Sequence, residues 1–375
     1  MNLTAIVTTP KEFSAMDNPA LPSAPRQDGH PAVHPEHSGD QVAVLSRPSG
    51  VGDAAVGPVE LLPLVTERLH EILGTGGEFD DIYRHVLAAP GKRVRARLVL
   101  ACAGLLPDVE AAPRHAAIDL ACAMEMLHES SLLHDDICDG SLLRRGAPSV
   151  PAAFGVRIAA RAGFHLAGTA MQVVAQVLAD NAGVFAGIGD APGVTYADRL
   201  SDLSFGQLIE TLPPAVDATA LRRHYELVAG AKTGTLFRLS CSYGGTAGGA
   251  DNDRLQALME YADQLALAFQ IMDDVRDIEG GPELGKDACG DLDRRVPTWP
   301  VIEWLALRPG AREMWLDETT SSAVLQADLV DSGATKAARV VAVRATETAS
   351  AALDIFPPSP ARDDLRELLQ QVINR

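Results

Sequence analysis

The sequence predicts an all-helical protein, a bundle of long helices, and three observations support that fold class. Hydrophobic residues make up 47% of the chain but aromatic residues only 5%, with alanine and leucine prominent. Ala and Leu favour helices, whereas β-branched and aromatic residues favour strands. Apolar residues recur at helical spacing almost continuously from Val59 onward. No alternating strand pattern or short repeat is visible, so a helical bundle is the natural class.

The helix boundaries follow from the apolar periodicity and from the glycines and prolines that interrupt it. The first helix contains the apolar run from Leu61 to Leu73 and ends at Gly74. Further helices are predicted approximately at residues 78–88, 93–106, 114–138, 151–180, 196–211, 218–248, 252–278, 297–307, 320–353 and 361–374.

The first 57 residues differ in composition from residues 58–375, which we predict to form one helical domain. Residues 1–57 are rich in Pro, Ala, Ser and Gly and show no sustained period. Such a segment cannot bury enough apolar surface to offset its ordering entropy, so we predict disorder. An inert extension is the simpler interpretation. The alternative is a docking tail that recruits the chain to a protein partner or shell through short apolar islands such as Val42–Leu45.

Composition also excludes several classes of function. The formal net charge is −18, so nucleic acid is not an expected partner. None of the five cysteines forms a CxxC pair, and several fall in apolar helical stretches. We therefore predict reduced thiols in a cytoplasmic protein and no zinc site. Long uncharged apolar runs and signal-peptide patterns are missing from the sequence, so no transmembrane segment is expected.

Two aspartate clusters, each closing an apolar helix, are the first candidates for chemistry. Asp135 and Asp139 are four residues apart, so both carboxylates lie on one side of a helix, with Asp136 beside them. Such a cluster repels itself unless a cation is bound, and oxygen ligands without nearby Cys or His favour Mg²⁺. The alternative is that both clusters are simply solvated acidic helix ends. A second cluster with the same spacing makes that alternative less favoured than a metal site. The second cluster consists of Asp273, Asp274 and Asp277.

Basic residues accompany both clusters on an otherwise acidic chain. Lys92 and Arg95 lie at a helix start, where they can face one anion together with the helix N–H groups. Diphosphate needs both metal bridges and direct N–H donors, so cations beside two magnesium motifs suggest a phosphate ligand. The other candidates are Arg144, Arg145, Lys232 and Lys286.

These segments resemble the trans-prenyltransferase, or polyprenyl diphosphate synthase, family over about residues 91–305. The resemblance is carried by GKRVR at 91–95, HESSLLHDDICDGSLLRRGAPSV at 128–150, FGQL at 205–208, KTGTLF at 232–237, AFQIMDDVRD at 268–277, GKDACGDL at 285–292 and TWP at 298–300. It implies the isoprenoid synthase fold, a bundle of antiparallel helices around a deep central cavity, commonly as a homodimer.

The resemblance also implies a role for each residue that matches a family motif. About three Mg²⁺ ions would be held on the allylic diphosphate by Asp135, Asp139 and Asp273, supported by Asp136, Asp274 and Asp277. The same diphosphate would be held by Arg144, Lys232, Thr233, Gln270 and Lys286. Isopentenyl diphosphate would be held by Lys92, Arg95, His128 and Arg145. The catalytic set would comprise Lys232 with Asp135, Asp136, Asp139, Asp273 and Asp274.

Two positions depart from the family pattern. Phe164 follows Gly163 where the family usually has Asp, which removes a polar group near the second helix layer. Val296 replaces a lysine that binds diphosphate, and Arg294 and Arg295 are the candidates to reach in its place. These changes bear on rate and specificity more than on the class of reaction.

Product length in this family depends on what blocks the cavity floor below the first aspartate motif. Ser130 and Ser131 lie one helical turn below Asp135, and Leu127 lies one turn further. The two serines are small where farnesyl-stopping enzymes tend to have an aromatic residue. We therefore predict geranylgeranyl diphosphate, with a longer polyprenyl diphosphate as the close alternative.

Two other functions remain open at this stage. A class I terpene cyclase on the same scaffold would ionise a prenyl diphosphate without needing isopentenyl diphosphate, yet the residues that resemble an isopentenyl site are all present. A non-catalytic subunit of a heteromeric synthase would be expected to carry degraded aspartate motifs, and both motifs are intact. Both comparisons favour the synthase.

Overall fold

The structure is a computed structural model. It describes residues 57–374 except residues 75, 78, 89–90, 108–113, 187–195, 211, 213, 215 and 281–289, and only the backbone of residues 196–200. The predicted tail before Gly57 lies outside the described residues, and so does Lys286.

The described chain is almost entirely helical, which confirms the predicted fold class. A 3₁₀ turn, Pro58–Leu61, leads into the first half of the chain, which contains α1 (Leu62–Leu73), α2 (Asp80–Ala88), α3 (Val94–Ala103), α4 (Arg114–Cys138), α5 (Val150–Phe154), α6 (Val156–Asp180) and α7 (Tyr196–Glu210). The second half contains α8 (Ala218–Ala229), α9 (Thr235–Ala247), α10 (Asn252–Glu279), α11 (Gly290–Asp293), α12 (Trp299–Leu307), α13 (Ala311–Leu316), α14 (Ser322–Asp331), α15 (Ala334–Ala352) and α16 (Pro360–Ile373).

Three predicted single helices are interrupted in the structure. The helix predicted at 151–180 divides at Gly155 and the one at 320–353 divides near Gly333, where φ is +87° and +81°. Glycine adopts these positive angles without the steric penalty that a side chain incurs, so it breaks a helix that periodicity alone would continue. The helix predicted at 218–248 contains a π-helical turn, Gly230–Gly234, between α8 and α9.

A short β-hairpin follows α4, where the sequence showed no strand pattern. β1 (Leu143–Arg144) pairs antiparallel with β2 (Ala147–Pro148). Arg145 and Gly146 form its turn with positive φ at both positions, as two-residue hairpins require. Strands of two residues are too short to show an alternating pattern, which is why the sequence did not reveal them.

Three apolar cores hold the described helices together, and the smallest lies around α12, α13 and α14. The first lies around α4 and α6, which pack together along their length, with α1 and α2 against them. The second lies around α10 and α15, together with α3, α9 and α16. Arg97 on α3 forms a buried ion pair with Asp364 on α16 at 2.8 Å. This packing fixes the ends of α4 and α10, on which both aspartate motifs lie.

Among the helices that the structure describes, α6 is the one that is long and apolar enough to cross a membrane by composition alone. Its most apolar stretch is 39% buried within the chain. Because α6 packs on α4 along its length, we interpret it as a core helix with one uncovered face.

Candidate active site

The first aspartate motif occupies the last turns of α4, where its carboxylates face two different environments. Asp139 is exposed and Asp135 is half-buried, and Gln207 on α7 donates a hydrogen bond to Asp135. Asp136 is only 2% exposed and accepts hydrogen bonds from both Nε (3.0 Å) and Nη2 of Arg144 on β1. Carboxylates at a helix C-terminus are disfavoured by the helix dipole. This end of α4 therefore favours cations.

The second motif, near the end of α10, also combines a partly exposed aspartate with a buried one. The Asp273 side chain is 43% exposed and forms an ion pair with Arg276 at 3.8 Å. Asp274 is buried and accepts hydrogen bonds from the Tyr225 hydroxyl at 2.5 Å, from Gln270 Nε2 at 3.2 Å and from the Trp299 N–H at 3.4 Å. Burial raises the pKa of Asp274 to about 8, and these donors only partly offset that effect. Both oxygens of Asp274 are thus bound to the protein.

The structure brings the two motifs together at Arg294. A hydrogen bond to Asp291 at 2.8 Å raises the pKa of this arginine, and the nearby carboxylates of Asp139 and Asp277 raise it further. Asp139 belongs to the first motif and Asp277 to the second, so one guanidinium lies within electrostatic reach of both. The sequence left open whether Arg294 or Arg295 lies here. Arg295 instead donates to the carbonyls of residues 317 and 320 and stacks over Trp315.

The carboxylates of the two motifs fit magnesium if a substrate supplies further oxygens. In the parts of the chain that the structure describes, no three His, Cys, Asp or Glu side chains are grouped closely enough to hold an ion by themselves. Mg²⁺ is usually bound by one or two carboxylates together with substrate phosphates and water, rather than by an all-protein cage. The donor set of Asp135, Asp139, Asp273 and Asp277 therefore fits Mg²⁺ bridged to a diphosphate.

The π-helical turn between α8 and α9 carries the next two predicted ligands. Thr233 donates to Gln270 Oε1 at 3.1 Å, and Lys232 Nζ donates to Glu210 on α7 at 2.6 Å. A Cβ on Gly206 would come within 2.8 Å of Ala231, so α7 packs directly on this turn. Single π-turns within helices occur frequently at functional sites. The turn thus joins Lys232 and Thr233 to the second aspartate motif through Gln270.

A second group of cations lies beside the first motif. Arg95 is half-buried with its guanidinium 5.3 Å from the ring centre of Phe237, and burial lowers its pKa to about 10. Burial, and then its arginine neighbours, hold the pKa of His128 well below its usual range, so this imidazole is neutral. Arg145 donates to Glu129 at 3.0 Å. Lys92 is exposed in the turn directly before α3, the helix that carries Arg95.

Several residues at the site were missed by sequence reasoning. Gln207 belongs to the FGQL stretch and Glu210 lies one turn further along α7, and that spacing was a usable signal. Glu125 and Glu129 are buried acids within an apolar helix, where an acid needs a partner. Tyr225 gave no signal, because its contact with Asp274 arises only from the packing of α8 on α10.

The raised pKa of Asp274 predicts a stability that depends on pH. In the folded chain its pKa is about 8, above its ordinary 3.8, so the folded state binds the proton more tightly. Its contribution is fully present below the ordinary pKa, falls as pH rises and is lost above about pH 8. In Asp274→Asn the amide cannot ionise, and Gln270 can flip to accept from it.

We therefore expect wild type to lose more than about 1 kcal/mol of unfolding free energy relative to Asp274→Asn between pH 5 and pH 9. Urea unfolding of both proteins without divalent metal measures this difference, and groups common to both cancel. A difference that stays constant with pH would contradict a protonated Asp274.

Known proteins with similar sequences and structures were compared with the chain. The family model described as polyprenyl synthetase matches residues 77–332. The geranylgeranyl pyrophosphate synthase of Geoglobus acetivorans is 31% identical over 326 residues, which cover 83% of this chain and 96% of that protein. The geranylgeranyl diphosphate synthase of Mycobacterium tuberculosis is 31% identical over 300 residues, covering 76% of this chain and 80% of that protein.

Solved structures agree with the sequence comparison. A polyprenyl synthase from Caulobacter crescentus, complexed with calcium and isoprenyl diphosphate, is similar at a TM-score of 0.73 and 27% identity, over 84% of this chain and 94% of that one. A decaprenyl diphosphate synthase from Rhodobacter capsulatus is similar at a TM-score of 0.73 and 29% identity, over 84% and 96%.

Proposed function

The chain belongs to the polyprenyl synthetase family and is a trans-prenyltransferase, and from this premise we propose a Mg²⁺-dependent enzyme with two diphosphate sites. It joins isopentenyl diphosphate head-to-tail to allylic diphosphates. The product is geranylgeranyl diphosphate or a longer polyprenyl diphosphate. The observation that carries this proposal is that Asp139 and Asp277, one carboxylate from each aspartate motif, both lie within electrostatic reach of the Arg294 guanidinium.

The allylic diphosphate occupies the side of the site that carries the π-helical turn. Asp135, Asp139, Asp273 and Asp277 would hold about three Mg²⁺ ions, which would supply positive charge to the leaving diphosphate. Lys232 and Arg294 donate to the same oxygens, and Thr233 and Gln270 orient them. To bind the substrate, Lys232 must release its hydrogen bond to Glu210 and donate to the diphosphate instead. One charge-assisted hydrogen bond is thereby replaced by another. Lys286 completes this group in the proposal.

Asp136 and Asp274 act differently from the other four aspartates in this proposal. Each binds a partner within the protein, Arg144 for Asp136 and Tyr225 for Asp274. They support the two motifs by fixing the ends of α4 and α10, and Arg144 lies beside the allylic diphosphate while it holds Asp136.

Isopentenyl diphosphate occupies the second group of cations. Lys92, Arg95 and Arg145 donate to its diphosphate, and the neutral His128 contributes one N–H without adding charge. The carbon–oxygen bond of the allylic substrate ionises, and the double bond of isopentenyl diphosphate attacks the allylic carbon held beside it. A proton then leaves, to the released diphosphate, and the product is five carbons longer.

A product assay tests this function. Purified protein is incubated with Mg²⁺, isopentenyl diphosphate and, separately, dimethylallyl, geranyl, farnesyl and geranylgeranyl diphosphates, and the dephosphorylated products are sized by chromatography with mass detection. We expect linear prenyl alcohols of twenty or more carbons that form only with isopentenyl diphosphate and Mg²⁺. A cyclic hydrocarbon formed without isopentenyl diphosphate would overturn the proposal in favour of a cyclase.

We propose a homodimer that covers the outer face of α6. Phe164, the residue that departs from the family pattern, is 80% exposed on this face, and Val156, Ile158 and Met171 are also exposed. Phe164 and Met171 lie seven residues apart on one face of α6, and exposed apolar side chains grouped in this way are typical of an interaction surface. Phe164→Arg should raise the dimer dissociation constant at least about 100-fold, because a desolvated charge is costly in an interface. Light scattering across a concentration series measures it.

The matched control is Phe79→Arg, since Phe79 is 65% exposed in a different part of the chain. That variant should keep the oligomeric state of the wild type. If both variants remain dimers at the same concentrations, the dimer does not use the outer face of α6.

We propose that residues 1–57 take no part in turnover, either as an inert extension or as a tail that docks the enzyme to a protein partner or shell. Removing residues 1–56 leaves Gly57 and the first helical turn in place. The kcat and KM values of the shortened enzyme should stay within about twofold of the full chain. A loss of activity greater than tenfold would contradict a docking role.

A further inference from the structure

Two buried glutamates on α4 each bind one arginine from a loop of the second cation group. Glu125 and Glu129 lie one turn apart and are 2% and 6% exposed. Glu125 pairs with Arg93 at 3.1 Å, and Glu129 pairs with Arg145 at 3.0 Å. A buried charge is costly unless it is paired and hydrogen-bonded. Each glutamate therefore holds its arginine in one place.

Both arginines have a backbone conformation that side chains rarely adopt. Arg93 has φ +49° and Arg145 has φ +52°, and within the described ranges Arg295 is the one other non-glycine residue with positive φ. At Arg145 the two-residue hairpin turn requires this angle, and Glu129 holds the side chain that the turn presents. At Arg93 the buried pair with Glu125 holds the side chain in the turn before α3.

Glu125 also fixes the start of α3. Its Oε1 accepts the Ala96 N–H at 3.0 Å, so the carboxylate lies at the positive end of that helix. The turn that contains Lys92 is therefore tied to α4 on both sides, through Arg93 before the helix and Ala96 within it. The two loops also touch, because a Cβ on Gly91 would lie 3.0 Å from Cζ of Arg145.

We infer that Glu125 and Glu129 are positioning residues of the isopentenyl diphosphate site, an inference that rests on the function proposed above. They need not contact the substrate. They hold the two loops so that the N–H donors of Lys92, Arg95 and Arg145 converge on one diphosphate. Preorganised donors bind an anion better than donors that must be ordered during binding.

The sign of the effect separates positioning from simple electrostatics. A carboxylate near a diphosphate repels it, so removal of the charge alone would tighten binding. Loss of positioning has the opposite effect, because the side chain of the freed arginine is no longer held in place and its donors leave the site. Glutamine keeps the size of the side chain and removes only the charge.

For Glu125→Gln and Glu129→Gln we expect the KM for isopentenyl diphosphate to rise at least about tenfold. The KM for the allylic substrate and the kcat at saturating isopentenyl diphosphate should stay within about threefold. Glu129→Asp, which keeps the charge, should recover part of the loss. The matched control is Asp119→Asn on the same helix, because Asp119 forms a comparable pair with Arg68 on α1 at 2.8 Å.

That control should lower the melting temperature as much as the glutamate variants do and leave both KM values unchanged. An unchanged or lower KM for isopentenyl diphosphate in the glutamate variants would overturn the inference, and so would an equal loss toward both substrates. If Glu125→Gln does not fold, Glu129→Gln and Glu129→Asp decide the question.

Calorimetry with isopentenyl diphosphate alone, in EDTA, separates this inference from the proposed function. If wild type binds isopentenyl diphosphate in this experiment but forms no product in the Mg²⁺ assay, the proposed function is refuted. Weaker binding by the glutamate variants would still support positioning in that case. Wild type that turns over normally, with variants that bind equally tightly, would refute positioning alone.

Discussion

Replacing Asp135 with asparagine should lower kcat about 10³-fold or more without unfolding the enzyme. Asp135 lies half-buried at the end of α4, where Gln207 already donates to it, so an amide of the same size fits. The variant loses a negative oxygen ligand where the helix dipole and the neighbouring Asp139 also favour a cation. Asp273→Asn should act in the same way from the other side of the site. Turnover as a function of Mg²⁺ concentration measures both.

The matched control for these variants is Asp253→Asn, since Asp253 is an exposed aspartate in the first turn of α10. It should keep wild-type turnover and Mg²⁺ dependence. More Mg²⁺ should restore part of the activity of Asp135→Asn if metal affinity is what fell. Wild-type kcat in both Asp135→Asn and Asp273→Asn would exclude these carboxylates as metal ligands.

The long helices were predictable because local signals and tertiary packing agree along them. The helix predicted at 114–138 has those bounds in the structure, and α10 extends one residue beyond its prediction at 252–278. The interruptions at Gly155 and Gly333 were not predicted, since apolar periodicity continues across them. Only the backbone conformation distinguishes a helical glycine from one with positive φ.

The candidate site was predictable at the level of motifs but not of side-chain direction. Neighbouring residues on a helix point about 100° apart, so Asp136 cannot face the same way as Asp135. The sequence therefore already implied that the second aspartate of each motif points elsewhere. Its partners could not be foreseen, because Tyr225 and the Trp299 N–H reach Asp274 from helices far along the chain. Such contacts depend on packing between elements and not on spacing.

A change at Ser131 should shorten the product, whereas a change at Ser130 should not. Ser131 lies four residues before Asp135, on the same side of α4, and its hydroxyl donates to the His128 carbonyl of its own helix at 2.8 Å. Ser130 is buried against α6, where its hydroxyl donates to the Gly163 carbonyl at 2.7 Å. The two helices touch there, since a Cβ on Gly163 would lie 2.5 Å from the His134 ring. Of the two serines, Ser131 is thus the one that faces a growing chain.

Ser131→Phe should therefore end elongation at about fifteen carbons, with more than about 90% of the longer product lost, because an aromatic ring raises the cavity floor below the first motif. The rate with dimethylallyl diphosphate should stay within about threefold of wild type, since the metal ligands and both diphosphate groups are untouched. Chromatography of the dephosphorylated products measures the lengths. Ser130→Ala is the control: it removes a buried hydrogen bond and should lower the melting temperature while product length stays the same. If Ser131→Phe still makes long products, Ser131 does not form the cavity floor. If Ser130→Ala changes the product length, the contact between α4 and α6 determines that length.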